Sequence, residues 1–127
     1  MDELHKRLRD VHEAGVYRLN CTVDDLRAAA GEAGFVLFET DLAAAHNKGA
    51  LLAALEEVIG APEWFGNNWD ALADALADLS WKPAPGYVML LRDVNLTGAE
   101  EETLANILLG ASAYWEMQGK PFWAFFA

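Results

Sequence analysis

The most informative stretch of this chain covers residues 62–76 and reads Pro62-Glu63-Trp64-Phe65-Gly66-Asn67-Asn68-Trp69-Asp70-Ala71-Leu72-Ala73-Asp74-Ala75-Leu76. Pro62 restricts one backbone angle, and Gly66 and Asn67 tolerate the backbone angles that turns require. Asn68 is a favoured N-cap residue, so we predict that a helix begins at Trp69. The stretch therefore predicts a stiff aromatic loop that leads directly into a helix.

The predicted helix, which we expect to run to about Ser80, has two different faces. At 100° per residue, one face collects the apolar residues Trp69, Leu72, Leu76 and Leu79. The opposite face collects the acidic residues Asp70, Asp74 and Asp78, at positions i, i+4 and i+8. The spacing predicts that the leucines are buried and that the aspartates face solvent.

Three like charges at this spacing need an explanation, because each such pair destabilises a helix by about 0.2–0.5 kcal/mol. No Lys or Arg occurs between Lys48 and Lys82. The same interval holds six acidic residues: Glu56, Glu57, Glu63, Asp70, Asp74 and Asp78. One interpretation is an electrostatic docking surface for a basic partner, and the other is a solvated face on an acidic protein.

The composition fits one domain, since 127 residues with 54% apolar side chains are enough for a hydrophobic core. With 20 acidic against 9 basic residues, the net charge of −11 argues against nucleic acid or an anionic membrane as ligand. Cys21 is the only cysteine, which excludes an intrachain disulfide and favours a reducing compartment. Residues 1–14 lack the apolar core of a signal peptide, and we expect a cytoplasmic protein.

Three apolar runs predict buried strands at residues 35–38, 87–91 and 122–126. Helical patterns separate them, at residues 48–59, at 69–80, and from a capping box at Thr97 to Gly119. We therefore predict an α/β fold with a small three-stranded parallel sheet packed with helices. Residues 1–34 form an N-terminal extension of the same domain, with helices near 2–13 and 22–33 and a candidate edge strand at 16–19.

Residues 35–127 resemble the barstar family of intracellular ribonuclease inhibitors. Leu51 and the run from Pro62 to Asp74 carry the resemblance, together with the order of strands and helices. It implies that the acidic helix and the preceding loop block the active site of a basic ribonuclease or a related nuclease toxin. The implied partner-binding residues are Trp64, Phe65, Gly66, Asn68, Asp70, Ala73, Asp74 and Asp78. No enzymatic activity, metal, cofactor, nucleic acid or membrane is implied.

The resemblance also implies individual roles. Asp74 would take the place of a substrate phosphate among cationic enzyme side chains, Asp70 would pair with a neighbouring cation, and Trp64 would pack across the cleft. The chain departs from the family at Ala73, where a tryptophan is expected, and at Tyr114, where an acidic residue is expected. Glu116 lies nearby in sequence but on another helix face. These departures bear on the identity of the target more than on the mode of binding.

Two other functions remain alternatives at this point. An enzyme could pair Asp70 and Asp74 with a base from His5, His12 or His46, but the chain shows no phosphate loop, nucleophile elbow or metal-spaced cluster. Helix carboxylates alone rarely complete the six to eight oxygen ligands of calcium. An acidic interaction module that binds a basic partner other than a ribonuclease stays open.

The tryptophans divide into two groups. We expect those at core spacings or in apolar runs to be buried, namely Trp69, Trp81, Trp115 and Trp123. Trp64 stands in the loop beside the acidic residues, and we expect it to be partly exposed.

Overall fold

A computed structural model of the chain describes residues 2–62 and 66–127. In chain order the elements are α1 (Asp2–Leu8), β1 (Val16–Arg18), α2 (Val23–Ala33), β2 (Val36–Asp41), α3 (Lys48–Ile59), α4 (Trp69–Leu76), β3 (Tyr87–Arg92), α5 (Gly98–Met117) and β4 (Phe122–Phe126). The strands form one sheet in the order β1-β4-β3-β2, and every neighbouring pair is parallel. The fold class is therefore α/β, as the alternation of strand and helix patterns predicted.

The sheet has four strands, so the predicted count of three was wrong. The additional strand is the candidate edge strand of the N-terminal extension, and its residue Val16 is aligned with Ala124 of β4. Its three residues are too few for the pattern alone to separate a strand from a loop. The backbone of β4 supplies the hydrogen-bonding partners that order it.

Helices cover both faces of the sheet, and the side chains of β3 alternate between them. Tyr87, Met89 and Leu91 join a large buried cluster with α3, α4 and α5. Val88 and Leu90 point the other way, into a smaller cluster with α1 and α2. The continuous apolar runs of β3 and β4 follow from this arrangement, because strands covered on both faces have no polar side.

Helix starts agree closely with the sequence patterns. The side-chain oxygens of Thr22, Asn47, Asn68 and Thr97 each accept a hydrogen bond from the backbone N–H three residues later. The caps at Asn68 and Thr97 were predicted, and α3 has the predicted bounds, 48–59. Gly60 follows it with φ 71°, a backbone angle that favours glycine.

Two predicted helix lengths were wrong. The first helix ends at Leu8, and residues 9–13 form turns, although the apolar spacing extended to Val11. The acid-bearing helix α4 ends at Leu76 instead of about Ser80, and Leu79 takes a φ of 48°. In addition, β2 continues through Glu39, Thr40 and Asp41, which the sequence pattern treated as its boundary.

Candidate partner-binding site

The candidate site is built on the N-terminal end of α4. Asn68 Oδ1 accepts a hydrogen bond of 2.7 Å from the Ala71 backbone nitrogen, which fixes the first turn of the helix. Gly66 lies close to this cap, because a Cβ atom there would stand 3.0 Å from Asn68 Nδ2. The predicted site residues Trp64 and Phe65, together with Glu63, lie outside the described residues.

The faces of α4 agree with the predicted wheel. Leu72 and Leu76 are completely buried in the larger cluster, whereas Asp70 and Asp74 are exposed. Trp69 is half-buried and packs against the same cluster. The core side chains thus hold α4 in place without using the aspartates.

Asp78 lies beyond the end of α4, so the predicted i, i+4, i+8 arrangement of three aspartates on one helix was wrong. It lies in the turn after Leu76, where its backbone nitrogen donates to the Ala75 carbonyl oxygen. Its side chain is exposed, as predicted. The aspartate row on α4 therefore consists of Asp70 and Asp74.

The charges of these aspartates are not neutralised within the part of the chain that the structure describes. None of the ion pairs between described residues includes Asp70, Asp74 or Asp78. The negative charge of this region is thus available to a partner.

The predicted acidic block is less uniform in the structure than in the sequence. Glu56 is half-buried, its Oε1 atom is enclosed without a hydrogen-bond partner among the described residues, and burial raises the pKa of its carboxyl group. Glu57 is exposed and lies beside Thr40, on the edge strand β2. Asp70 and Asp74 are therefore the stronger candidates for contact with a cation.

A groove of about 500 Å³ runs between α4 and α5, directly beside the aspartate row. On the α4 side its wall consists of Trp69, Asp70, Ala73 and Ala77. Ala73 is half-buried there, at the position where the sequence resemblance led us to expect a tryptophan. The small side chain leaves the space between the two helices open.

Sequence reasoning missed the contribution of α5 to this groove. The α5 wall includes Thr103, Asn106 and Gly110, none of which matched a functional motif. A signal was nevertheless present, since residues 103–115 contain no charged side chain in a strongly acidic protein. Tyr114 and Glu116 are both exposed on the same helix.

Two of the three histidines named for the enzyme alternative, His5 and His46, contact side chains other than Asp70 and Asp74. His5 Nδ1 lies 2.9 Å from a carboxylate oxygen of Glu32, and His46 Nδ1 lies 3.0 Å from the side-chain nitrogen of Asn95. These contacts join α1 to α2 and the loop after β2 to the loop after β3. Among residues 2–62 and 66–127, no group of three or more His, Cys, Asp or Glu side chains is placed to hold a metal ion.

The fold and the site define a small α/β domain that presents a capped, acidic helix beside an open groove. Residues 35–127, about three quarters of the chain, match the sequence model of the family described as Barstar (barnase inhibitor). The chain therefore belongs to the barstar family. No curated protein and no solved structure matches it. No helix in the described part of the chain is long and apolar enough to cross a membrane.

Proposed function

We propose that this protein inhibits a basic ribonuclease or a related nuclease toxin by covering its active site with α4 and the loop before it. Membership of the barstar family carries the proposal, because the family is described by its inhibition of barnase. The exposed Asp70 and Asp74, without cationic partners among the described residues, support it. The net charge of −11 suits a basic partner.

The proposed mechanism is imitation of the substrate's phosphate groups. A carboxylate offers two acceptor oxygens to a guanidinium group, as a phosphate does. Asp74 would occupy the phosphate position among the cationic side chains of the enzyme, and Asp70 would pair with a cation beside it. Both side chains stand on a helix that is fixed by the Asn68 cap and by the buried leucines, so little order is lost when they bind.

The remaining proposed contacts surround these two aspartates. Trp64, Phe65 and Gly66 precede the cap residue in sequence, and Trp64 would pack across the enzyme cleft. Ala73 lies beside Asp74 on α4, and Asp78 follows the end of the helix. The protein would supply acceptors and packing surface but no catalytic group.

The test is an RNA-cleavage assay with a panel of small basic ribonucleases that includes barnase. We expect the parent protein to inhibit at least one of them at a 1:1 ratio and to cleave no RNA itself. Asp74→Ala should weaken this inhibition more than Asp70→Ala does. Asp24→Ala is the matched control, because it removes an exposed carboxylate from α2, on the other face of the sheet.

Two results would overturn the proposal. One is the absence of inhibition of every ribonuclease in the panel. Binding to a basic protein that does not cleave RNA, without inhibition of any ribonuclease, would count as this result. The other is RNA cleavage by the purified protein that Asp74→Ala abolishes.

A further inference from the structure

We propose that the groove between α4 and α5 receives an uncharged side chain, aliphatic or aromatic, from the basic nuclease that the protein inhibits. This inference rests on the proposed function and adds a specificity pocket to it. The groove shares Asp70 and Ala73 with the proposed binding face, so a partner that contacts the aspartates also covers the groove.

The charge distribution determines the kind of side chain that fits. Of the described residues that line the groove, only Asp70 is ionisable, and the α5 wall lies within the uncharged run 103–115. A cation placed between the helices would lose water without gaining a counter-charge, except beside Asp70. The partner's cations therefore stay at Asp70 and Asp74, while an uncharged side chain enters the groove.

The shape of the groove follows from small side chains on both helices. Ala73 and Ala77 face Gly110 and Ala111 across it, and the half-buried Ile107 provides apolar surface. A Cβ atom added at Gly110 would meet no atom of another described element within 4 Å, so this glycine borders open space. Larger residues at these positions would fill the groove with the protein's own atoms.

The surface beyond the groove is also apolar. Four large apolar or aromatic side chains are exposed in the described part of the chain, and three of them, Leu109, Tyr114 and Met117, are on α5. Tyr114 and Met117 follow Gly110 by one and two helical turns, so they lie on the side of α5 that lines the groove, whereas Leu109 is turned about 100° away from Gly110. This arrangement gives the binding face a charged part on α4 and an apolar part on α5, as in interfaces that combine a few charged contacts with a packed apolar patch.

The experiment fills the groove from the α5 side and measures binding. The probe is barnase or, if another enzyme of the panel binds more tightly, that enzyme, in a catalytically inactive form and titrated by calorimetry. We expect Gly110→Leu to raise the Kd about tenfold or more, since overpacking excludes the incoming side chain, and Gly110→Ala to raise it less. Ala73→Leu, on the facing wall, should weaken binding in the same way.

Gly31→Leu is the matched control. Gly31 is also an exposed helical glycine for which an added Cβ would meet no atom of another described element within 4 Å, but it lies on α2, across the sheet. Its substitution should leave the Kd unchanged. Gly110→Ala should not lower the melting temperature, because alanine favours a helix interior more than glycine does. A weaker complex with an equally stable protein would thus identify an effect on binding and not on folding.

The outcomes separate this inference from the proposed function. If Asp74→Ala weakens the complex but Gly110→Leu binds as tightly as the parent, the groove proposal is wrong and the inhibitor proposal stands. An equal loss in Gly110→Leu and Gly31→Leu would also reject it. If no ribonuclease of the panel binds, the inhibitor proposal fails, and the groove proposal fails with it because the partner that it names does not exist.

Discussion

The indole nitrogen Nε1 of Trp115 donates a hydrogen bond of 2.7 Å to the backbone carbonyl oxygen of Leu76, the last residue of α4. Two other tryptophans repeat this relationship. Trp81 donates to the carbonyl of Ile59 at the end of α3, and Trp123 donates to that of Leu8 at the end of α1. Carbonyl groups in the last turn of a helix lack hydrogen-bond donors within the helix. Each indole N–H therefore supplies a donor to one of these carbonyl oxygens.

Trp115→Phe should destabilise the protein by about 1–3 kcal/mol, because the aromatic ring is largely kept while the Leu76 carbonyl loses its buried donor. Trp115 is only 7% exposed, so water cannot easily replace the indole. Equilibrium unfolding in urea measures the change. Tyr114→Phe is a suitable control, since that neighbouring ring is exposed, and a Trp115→Phe protein as stable as this control would contradict the prediction.

The aspartates of α4 should affect stability much less than its leucines do. Asp74→Asn removes repulsion from Asp70 and should stabilise the helix by up to about 0.5 kcal/mol. Asp70→Asn gives the same relief but loses a favourable charge in the first turn, worth about 0.3–1 kcal/mol, and should be the less stable of the two. Leu72→Ala should cost about 2–5 kcal/mol through a cavity.

Thermal melts of these three variants would test this order. If Asp74→Asn unfolded as readily as Leu72→Ala, Asp74 would be part of the scaffold and not a residue kept for binding.

The association rate with an inhibited ribonuclease should fall steeply as salt is added. The exposed Asp70, Asp74 and Asp78 attract a cationic partner over a distance that salt shortens, from about 30 Å at 0.01 M to about 8 Å at 0.15 M. The dissociation rate should change less, because it depends on contacts already formed. Stopped-flow fluorescence at several salt concentrations would measure both rates, and a flat association rate would assign these charges to solubility alone.

The comparison of sequence and structure shows which features local patterns determine. Asn68 and Thr97 cap helices through atoms three residues away, so a short stretch contains the whole cause, and both helix starts were predicted correctly. The apolar runs of β3 and β4 were equally clear because both faces of these strands are covered. In the candidate site, the exposure of Asp70 and Asp74 followed from the helical repeat.

The features that were not predicted depend on residues far apart in the chain. The carbonyl oxygen of Leu76, at the end of α4, accepts a hydrogen bond from Trp115, 39 residues later in the chain. The sequence gives no local sign of this helix end, because the first glycine or proline after Leu76 is Pro83. The extension of β2 through Glu39 involves an ion pair with Arg27, 12 residues earlier. The groove beside Asp70 needs α5 to lie against α4, which helical patterns alone do not specify.

The ion pair between Arg27 and Glu39 should make stability depend on pH. Arg27 donates to both oxygens of Glu39, at 2.8 and 2.6 Å, and this bonding holds the pKa of Glu39 below its ordinary value of 4.5. A carboxyl group whose pKa is lowered by folding stabilises the protein above its unfolded pKa, and this contribution is lost as the pH falls through the folded pKa.

Glu39→Gln should therefore lose less free energy of unfolding than the parent does when the pH is lowered from about 6 to about 3. The effect should be modest because Arg27 is half exposed. Urea unfolding at several pH values measures it, and a double-mutant cycle with Arg27→Gln isolates the pair. Parallel losses in the parent and in Glu39→Gln would show that the pair does not contribute.

We propose that residues 1–34 are an integral part of the domain, although the barstar match begins at residue 35. The side chains of Val88, Leu90, Trp123 and Phe125 are buried against α1 and α2, on the second face of the sheet. The Trp123 indole also bonds to Leu8, and β1 pairs with β4. Deletion of residues 1–34 would expose this apolar face to water.

The deletion variant should therefore be unfolded or aggregated, which circular dichroism and light scattering would detect. Leu26→Ala is the milder companion, because Leu26 is fully buried on α2 and its truncation should cost about 2–5 kcal/mol without removing the cover. Leu26→Ala leaves the groove and the α4 aspartates untouched, so this variant should still inhibit the ribonuclease at a temperature where it is folded. A monomeric 35–127 fragment that unfolds cooperatively at the parent's melting temperature would show that the extension is dispensable.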